Sequence, residues 1–269
     1  MIRVFPQRTK WTPTDELSFI GEPPLDMPPE QPVRVSCAFT WDKDEALRLG
    51  RSWSRFYSDV QVGGPAFDDP GDEFVPGRFI KEGVTITNRG CIRRCDFCLV
   101  PQREGKIREL SIKDGWIIQD NNLLACSKPH IEAVFEMLRR QPKFANFSAG
   151  LDARLIKPWH VDLFKSIKSP RLWFAADKCV GPLMEAAPLL IDFPKSNKFC
   201  YVLIGFGDDT IVEAEKRLRH VWNLGFYPFA MLYRGPAGEG HKSKDWRRFQ
   251  RTWCRPAAYK TMIKENPIS

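Results

Sequence analysis

Histidine and long apolar runs are both scarce in this sequence. Nowhere do its 269 residues supply the roughly twenty consecutive apolar positions that a bilayer-spanning helix needs. The opening stretch, MIRVFPQRTKWTPTDELSF, has no apolar core of a secretory signal, so a reducing, cytoplasmic setting is the expectation. In that setting the eight cysteines are metal ligands, catalytic groups or small buried hydrophobes before they are disulfides. The four histidines, His130, His160, His220 and His241, lie far from one another and from the densest group of cysteines. Acidic residues are thin in the C-terminal tail. From Arg234 to Ser269 nine Lys or Arg stand against three acids, whereas the first thirty residues carry three basic and five acidic groups. The net charge of +8 is therefore concentrated in the tail. No low-complexity tract or sequence repeat is present, and 43% apolar residues exclude global disorder.

The first thirty residues are rich in proline and acid and read as an irregular arm. PVRVSCAFT alternates like a strand, EALRLGRSWSRF reads as a helix capped by Asp42 or Asp44 with Ala46, Leu47, Trp53 and Phe56 on one face, and DVQVGGPA is a short strand. That is one β-α-β unit, followed by a loop over Pro65–Gly77. Beyond the loop the alternation is regular. The strands are VTIT, WIIQD, FANFS, RLWFAAD, FCYVLIG and FYPFAMLY, and the helices include KPHIEAVFEMLRR, capped by Ser127, and DDTIVEAEKRLRHVWNLG, which can end at Gly225. Strands alternating with helices predict parallel β-α units with function at the C-terminal strand ends. The expected layout is an N-terminal arm and β-α-β extension over 1–78, a barrel-like core over 79–234 and a basic tail over 235–269.

GCIRRCDFC places Cys91, Cys95 and Cys98 at C-x3-C-x2-C spacing directly after the first core strand. A structural zinc site wants four ligands, and no histidine is near. A ferredoxin-type cluster also wants four, and only the remote Cys126 is on offer. Disulfides are disfavoured by the compartment. The remaining reading uses the gap: three thiolates hold three irons of a 4Fe-4S cluster, and the fourth iron stays open for a substrate.

With Phe97 one place before the last cysteine, the pattern C-x3-C-x-aromatic-C after a first strand resembles the radical S-adenosylmethionine (SAM) superfamily, over roughly Phe79 to Arg234. The resemblance implies a partial (β/α)6 TIM-like barrel with its site at the C-terminal mouth, a 4Fe-4S cluster on Cys91, Cys95 and Cys98, SAM on the open iron, and an external electron donor of flavodoxin or ferredoxin type. It implies reductive cleavage of SAM to a 5′-deoxyadenosyl radical that takes hydrogen from a substrate. Carried over position by position, it assigns Gln119 or Asp120 to the SAM amino group, in place of the family's Gly-Gly-Glu. It assigns Ser148, Asp152 and Arg154 to the ribose and carboxylate; an internal Arg154–Asp152 ion pair is the alternative. YVLIGFGD resembles the adenine-binding stretch, with Leu203, Gly205 and Asp208 in place and Tyr201 replacing a glycine. Asp177 points toward the mouth, and Cys179 is the candidate hydrogen donor, or else a packing residue. Cys126, Cys200 and Cys254 are too dispersed to suggest a second cluster.

The N-terminal unit resembles a truncated cobalamin-binding domain. With two strands and no D-x-H-x-x-G motif it is expected to be too small to bury a corrin ring. The six basic residues Arg89, Arg93, Arg94, Arg103, Lys106 and Arg108 around the cysteines either offset cluster charge or form an ordinary solvated loop. The tail, DWRRFQRTWCRPAAYK, suits an anionic partner such as nucleic acid, or else an amphipathic closing helix. An RNA-modifying methylase or methylthiotransferase, and a nucleic-acid-binding module with a structural metal site, are the rival functions.

Overall fold

The computed structural model describes residues 1–68, 73–241 and 243–265. Part of the expected Pro65–Gly77 loop (69–72) and part of the tail (242 and 266–269) lie outside the described residues.

Two parallel sheets organise the chain. The first contains β1 (Ile2–Phe5), β2 (Ser18–Ile20), β3 (Val33–Ser36) and β4 (Val60–Gly63), in the order β2-β1-β3-β4, with α1 (Lys43–Trp53) between β3 and β4. Residues 1–30 are thus not an irregular arm: they add two strands to the expected pair. The sheet has its own core, in which Val33 and Val35 are buried with Leu49 and Trp53 of α1. The Trp53 indole N–H donates to the Gly21 carbonyl at 3.0 Å, tying α1 to the end of β2. The face of α1 also differs from expectation. Leu47 and Phe56 are 42% and 56% exposed, while Ala46, Leu49, Gly50 and Trp53 turn inward. The i, i+3, i+4, i+7 spacing of these four follows a single helical stripe.

The second sheet begins with β5 (Val84–Thr85). The short strands β6 (Asn88–Arg89) and β7 (Arg108–Glu109) pair antiparallel on either side of α2 (Val100–Arg103). Then follow β8 (Ile117–Ile118), α3 (Lys128–Arg139), β9 (Asn146–Leu151), α4 (Pro158–Lys165), β10 (Arg171–Ala175), α5 (Gly181–Ala186), β11 (Lys198–Ile204), α6 (Ile211–Asn223) and β12 (Tyr227–Leu232). The six-stranded order is β12-β11-β10-β9-β8-β5, all parallel. Sequential strands lie side by side, and β5 and β12 do not pair among the described residues, so the sheet is an open, partial barrel, as expected. Its core is aromatic: Phe135, Phe147 and Phe164 meet with ring centroids 5.4 to 5.7 Å apart. Ser127 caps α3 by accepting from the His130 N–H, and α6 is capped by Thr210 rather than by an aspartate.

Helices α7 (Lys244–Trp253) and α8 (Pro256–Glu265) close the sheet beyond β12. Trp246, Trp253 and Tyr259 are buried in the main core, and Trp253 stacks on Tyr259 at 5.4 Å.

The C-terminal edges of the two sheets face each other. Trp41, in the turn after β3, lies under the Arg234 guanidinium at 3.9 Å, just past the end of β12. Asp68, beyond β4, pairs with Arg103 of α2 at 3.8 Å. A cleft of about 900 Å³ lies beside the first contact, lined by Trp41, Lys43, Tyr233, Arg234, His241 and Arg247 among others.

Candidate functional site

The loop carrying the three cysteines is fixed at its base. The β6–β7 pair clamps its two ends, and Gly90 enters it with φ +80°. A Cβ at Gly90 would sit 2.0 Å from the Lys106 carbonyl oxygen, so only glycine fits. The Gly90 N–H donates to Asn121 Oδ1 at 2.9 Å.

Asp120 holds the strand end that leads into this loop. Its Oδ1 accepts the N–H groups of Thr87 and Asn88 at 2.5 and 3.1 Å, and its Oδ2 accepts the Thr87 hydroxyl at 2.6 Å. Burial pushes its pKa up to about 6, against the pull of these donors. Asp120 is 2% exposed with both oxygens engaged, and it positions the loop. Gln119 is half-buried, and its Nε2 donates to Ser148 Oγ at 2.5 Å, which brings these two expected residues together, one just past the end of β8 and the other within β9.

Cys91, Cys95 and Cys98 are all half-buried. Burial pushes the Cys95 and Cys98 thiols up, and the negative charge of the neighbouring thiols and of Asp177 adds to this. Cys91 Sγ accepts from the Arg93 N–H and from Asn122 Nδ2, each at 3.4 Å. Among the described residues no three His, Cys, Asp or Glu side chains close on a single-ion position. A cluster is different, because each thiolate holds its own iron and the sulfurs stand further apart. Sulfurs that accept hydrogen bonds beside cationic guanidinium groups match the chemistry of an anionic iron–sulfur centre. The residues present therefore fit a cluster better than a lone metal ion.

Asp152 and Arg154 form the internal ion pair held open as the alternative. Arg154 Nε donates to Asp152 Oδ1 at 2.6 Å and Arg93 Nε to Oδ2 at 2.9 Å. Burial raises the Asp152 carboxyl, but hydrogen bonds from Arg154 and Arg93 outweigh it and hold the group below the usual carboxylate range. Asp152 is thus held between two protein guanidinium groups. The Arg154 charge still reaches Cys95 and Asp177. Asp177 is raised to about 6, chiefly by burial. Cys179 is exposed, and its Sγ accepts the Gly181 N–H at 3.3 Å, at the start of α5.

The stretch expected to read adenine is tied down by its own neighbours. Gly205 N–H donates to Asp209 Oδ2 at 2.8 Å, and Arg217 Nη2 donates to the Leu203 carbonyl at 3.0 Å. These backbone groups are spoken for, and the anchoring acid is Asp209, not the exposed Asp208. Arg217 pins Asp209 in turn at 2.7 Å. Gly205 has a local reason to be glycine: φ is +69° and a Cβ would meet His241 at 2.9 Å.

An aromatic row lies over the mouth. Phe97 meets Phe206 edge-on at 5.8 Å, Phe206 meets Tyr233 at 4.7 Å, and the Lys178 ammonium lies 4.5 Å from the Phe206 ring centroid while pairing with Asp96 at 2.7 Å. Sequence reasoning found Phe97 through its place beside a cysteine. It missed Phe206, Tyr233, Asn121 and Asn122. The Asp-Asn-Asn run after a strand was the one signal for the two asparagines, since such side chains bond nearby backbone. Of the six basic residues around the cysteines, Arg89 and Arg108 pair with Glu104, Arg103 with Asp68 and Arg93 with Asp152.

No family model and no curated protein matches the sequence. Among solved structures, the chain is similar to TsrM of Kitasatospora setae, a radical SAM methyltransferase with cobalamin and a 4Fe-4S cluster bound. The TM-score is 0.59 at 10% identity, over 88% of this chain and 76% of that one. A second structure of that protein, with tryptophan substrate and the SAM analogue aza-SAM bound, aligns at TM-score 0.44 and 11% identity over 77% and 57%. The first match covers more of the chain than residues 79–269 could supply, so it extends into the N-terminal sheet. The chain therefore has an α/β, partial-barrel fold similar to that of this solved structure.

Proposed function

We propose that this protein is a radical SAM enzyme. The observation that carries the reading is the trio Cys91, Cys95 and Cys98 on a clamped loop at the C-terminal mouth of this fold, with no fourth protein ligand gathered to it among the described residues. A 4Fe-4S cluster with SAM on its open iron supplies, once reduced by a flavodoxin- or ferredoxin-type donor, a 5′-deoxyadenosyl radical able to take hydrogen from a substrate. The protein's own groups do the positioning. The β6–β7 clamp, Gly90 and Asp120 hold the loop. Arg154, steadied by Asp152, turns a cation toward Cys95 and Asp177 that can pair with a carboxylate. Gln119, oriented by Ser148, offers its Oε1 to an ammonium group. Phe97 and Phe206 offer ring faces and edges to a flat base and exclude water from the mouth. Cys179, exposed beyond Asp177, stands as the candidate hydrogen donor. Layout follows the same division: an N-terminal unit over 1–78, the core over 79–234 and the tail over 235–269. The setting is a reducing, cytoplasmic one. Anaerobic reconstitution followed by reduction with SAM tests the reading through release of 5′-deoxyadenosine.

Methyl transfer through a corrinoid is the second reading, favoured by one observation. The N-terminal sheet has four strands, not two, and its C-terminal edge faces the mouth across the 900 Å³ cleft. Four strands offer a larger surface to a corrin ring than the two expected. Cobalamin retained in stoichiometric amount through gel filtration supports this reading; free passage of cobalamin confines the chemistry to SAM.

A further inference from the structure

Helix α7 sorts its residues by chemistry. At 3.6 residues per turn, Trp246, Phe249 and Trp253 fall on one side, and Lys244, Arg247, Arg248 and Arg251 fall within about 100° on another. The structure follows this division. Trp246 and Trp253 are 6% and 0% exposed, while the four cations and the following Arg255 are exposed. Trp246 stacks on His241 at 4.9 Å, and Trp253 stacks on Tyr259. The aromatics are therefore used inside the protein and cannot stack on bases. They dock the helix and hold its cationic face at a fixed angle to the barrel.

That face is unpaired. Of the exposed helical arginines elsewhere, Arg48, Arg139 and Arg140 each meet a glutamate and the single Arg51 forms no ion pair among the described residues, whereas on α7 the unpaired arginines are clustered. Arg247, Arg248, Arg251 and Arg255 form no ion pair among the described residues, and Asp245, one turn before Arg248, does not reach it. Four residues rise about 6 Å along a helix, so Arg247 and Arg251 repeat on the scale of successive phosphates along a strand. Guanidinium groups suit phosphate oxygens through paired N–H donors. A lipid surface is the weaker match. Interfacial helices bind by sinking an apolar face between headgroups, and the apolar face of α7 is already buried in the core. Arg247 also lines the cleft between the sheets, with Arg234 and Lys43.

We propose that the arginine face of α7 binds the phosphodiester backbone of single-stranded nucleic acid and leads the strand to the inter-sheet cleft. The second half rests on the proposed function, because a base must leave any duplex stack to reach a reaction centre. Contact through phosphate alone predicts binding that tolerates any sequence and falls steeply with salt. With four phosphates neutralised on a single strand, affinity drops about fiftyfold between about 50 and 200 mM salt.

The test is fluorescence anisotropy on the reconstituted full-length protein, using a labelled mixed-sequence RNA and the DNA of the same sequence. R247A/R248A/R251A/R255A is expected to weaken binding of at least one strand tenfold or more and to remove most of the salt slope, by about 3 in log–log terms. The four-lysine version keeps the charges and is expected to restore binding and slope. R139A/R140A/K165A/K216A removes as many charges elsewhere and is expected to stay within about twofold of wild type. Unchanged binding in the four-alanine protein, or an equal loss in the control, overturns the proposal. So does equally tight, equally arginine-dependent binding to phosphatidylserine vesicles or polyglutamate, which would assign the face to a lipid surface or an acidic peptide. Iron counted in the same preparations reads the other question separately: protein that binds the oligonucleotide but holds no iron faults the cluster, not the arginine face.

Discussion

The two sheets are built alike and stabilised differently. Both are parallel, and both turn their C-terminal edges to one cleft. The larger sheet is threaded by helices after β8, β9, β10 and β11 and rests on a continuous core running from Ile118 to Tyr259. The smaller has a single α-helix and a core centred on Trp53, Leu49 and two valines, and β1 reaches β2 through residues 6–17 without a helix. The cysteine loop belongs to the larger sheet and takes its support from Thr87, Asp120 and Asn121. A small sheet with a separate core can therefore loosen without releasing the cluster loop, and the ways to break the comparison follow from that separation.

The largest effect is expected from Trp53→Ala. It removes a fully buried ring and its bond to Gly21, and a cost of about 3–5 kcal/mol is expected. Hydrogen exchange read by mass spectrometry should show β1 to β4 losing protection while β8 to β11 keep theirs and iron content is unchanged. Simultaneous loss in both sheets would join what the two cores separate.

His160 provides the matching perturbation of the larger sheet. It is 2% exposed, its Nδ1 accepts the Lys157 N–H at 3.0 Å, and burial, helped by Lys157, pushes its pKa down to about 4. The folded state keeps it neutral. Its contribution is complete above the unfolded value near 6.5 and is lost as pH falls toward 4, by up to about 3 kcal/mol. Asp120 and Asp177 titrate with the opposite sign in both proteins, so the wild-type urea midpoint minus that of His160→Gln should fall as pH drops from 6.5 toward 4.

Asp120→Asn is expected to cost about 1–3 kcal/mol, because an amide cannot accept on both atoms as the carboxylate does here. Iron should also leave faster under chelator than in wild type. Equal rates would mean that the strand end does not support the loop.

The same contrast accounts for what could be read from the sequence. Strands β8 to β11 of the larger sheet were visible because each apolar run was followed by a helical period, and the cysteine spacing marked the mouth. Strands β1 and β2 were not visible. They are four and three residues long, and the prolines and acids around them look like loop. Facing direction was illegible too. Asp120, Asp208 and Asp209 are strand-end acids of the same kind, and only tertiary packing decides which of them points at protein backbone. The aromatics of α7 were legible as a helical stripe, but the choice between stacking on bases and closing the core was made by a barrel wall that no local pattern encodes.

One measurement tests the central claim most directly. Anaerobically reconstituted protein is reduced in the presence of SAM, and iron and 5′-deoxyadenosine are quantified for wild type and for C91A/C95A/C98A. The account predicts about four irons per chain and release of 5′-deoxyadenosine from wild type, with both lost in the variant. Iron retained by the variant, or wild type that holds a cluster yet leaves SAM intact, would contradict it.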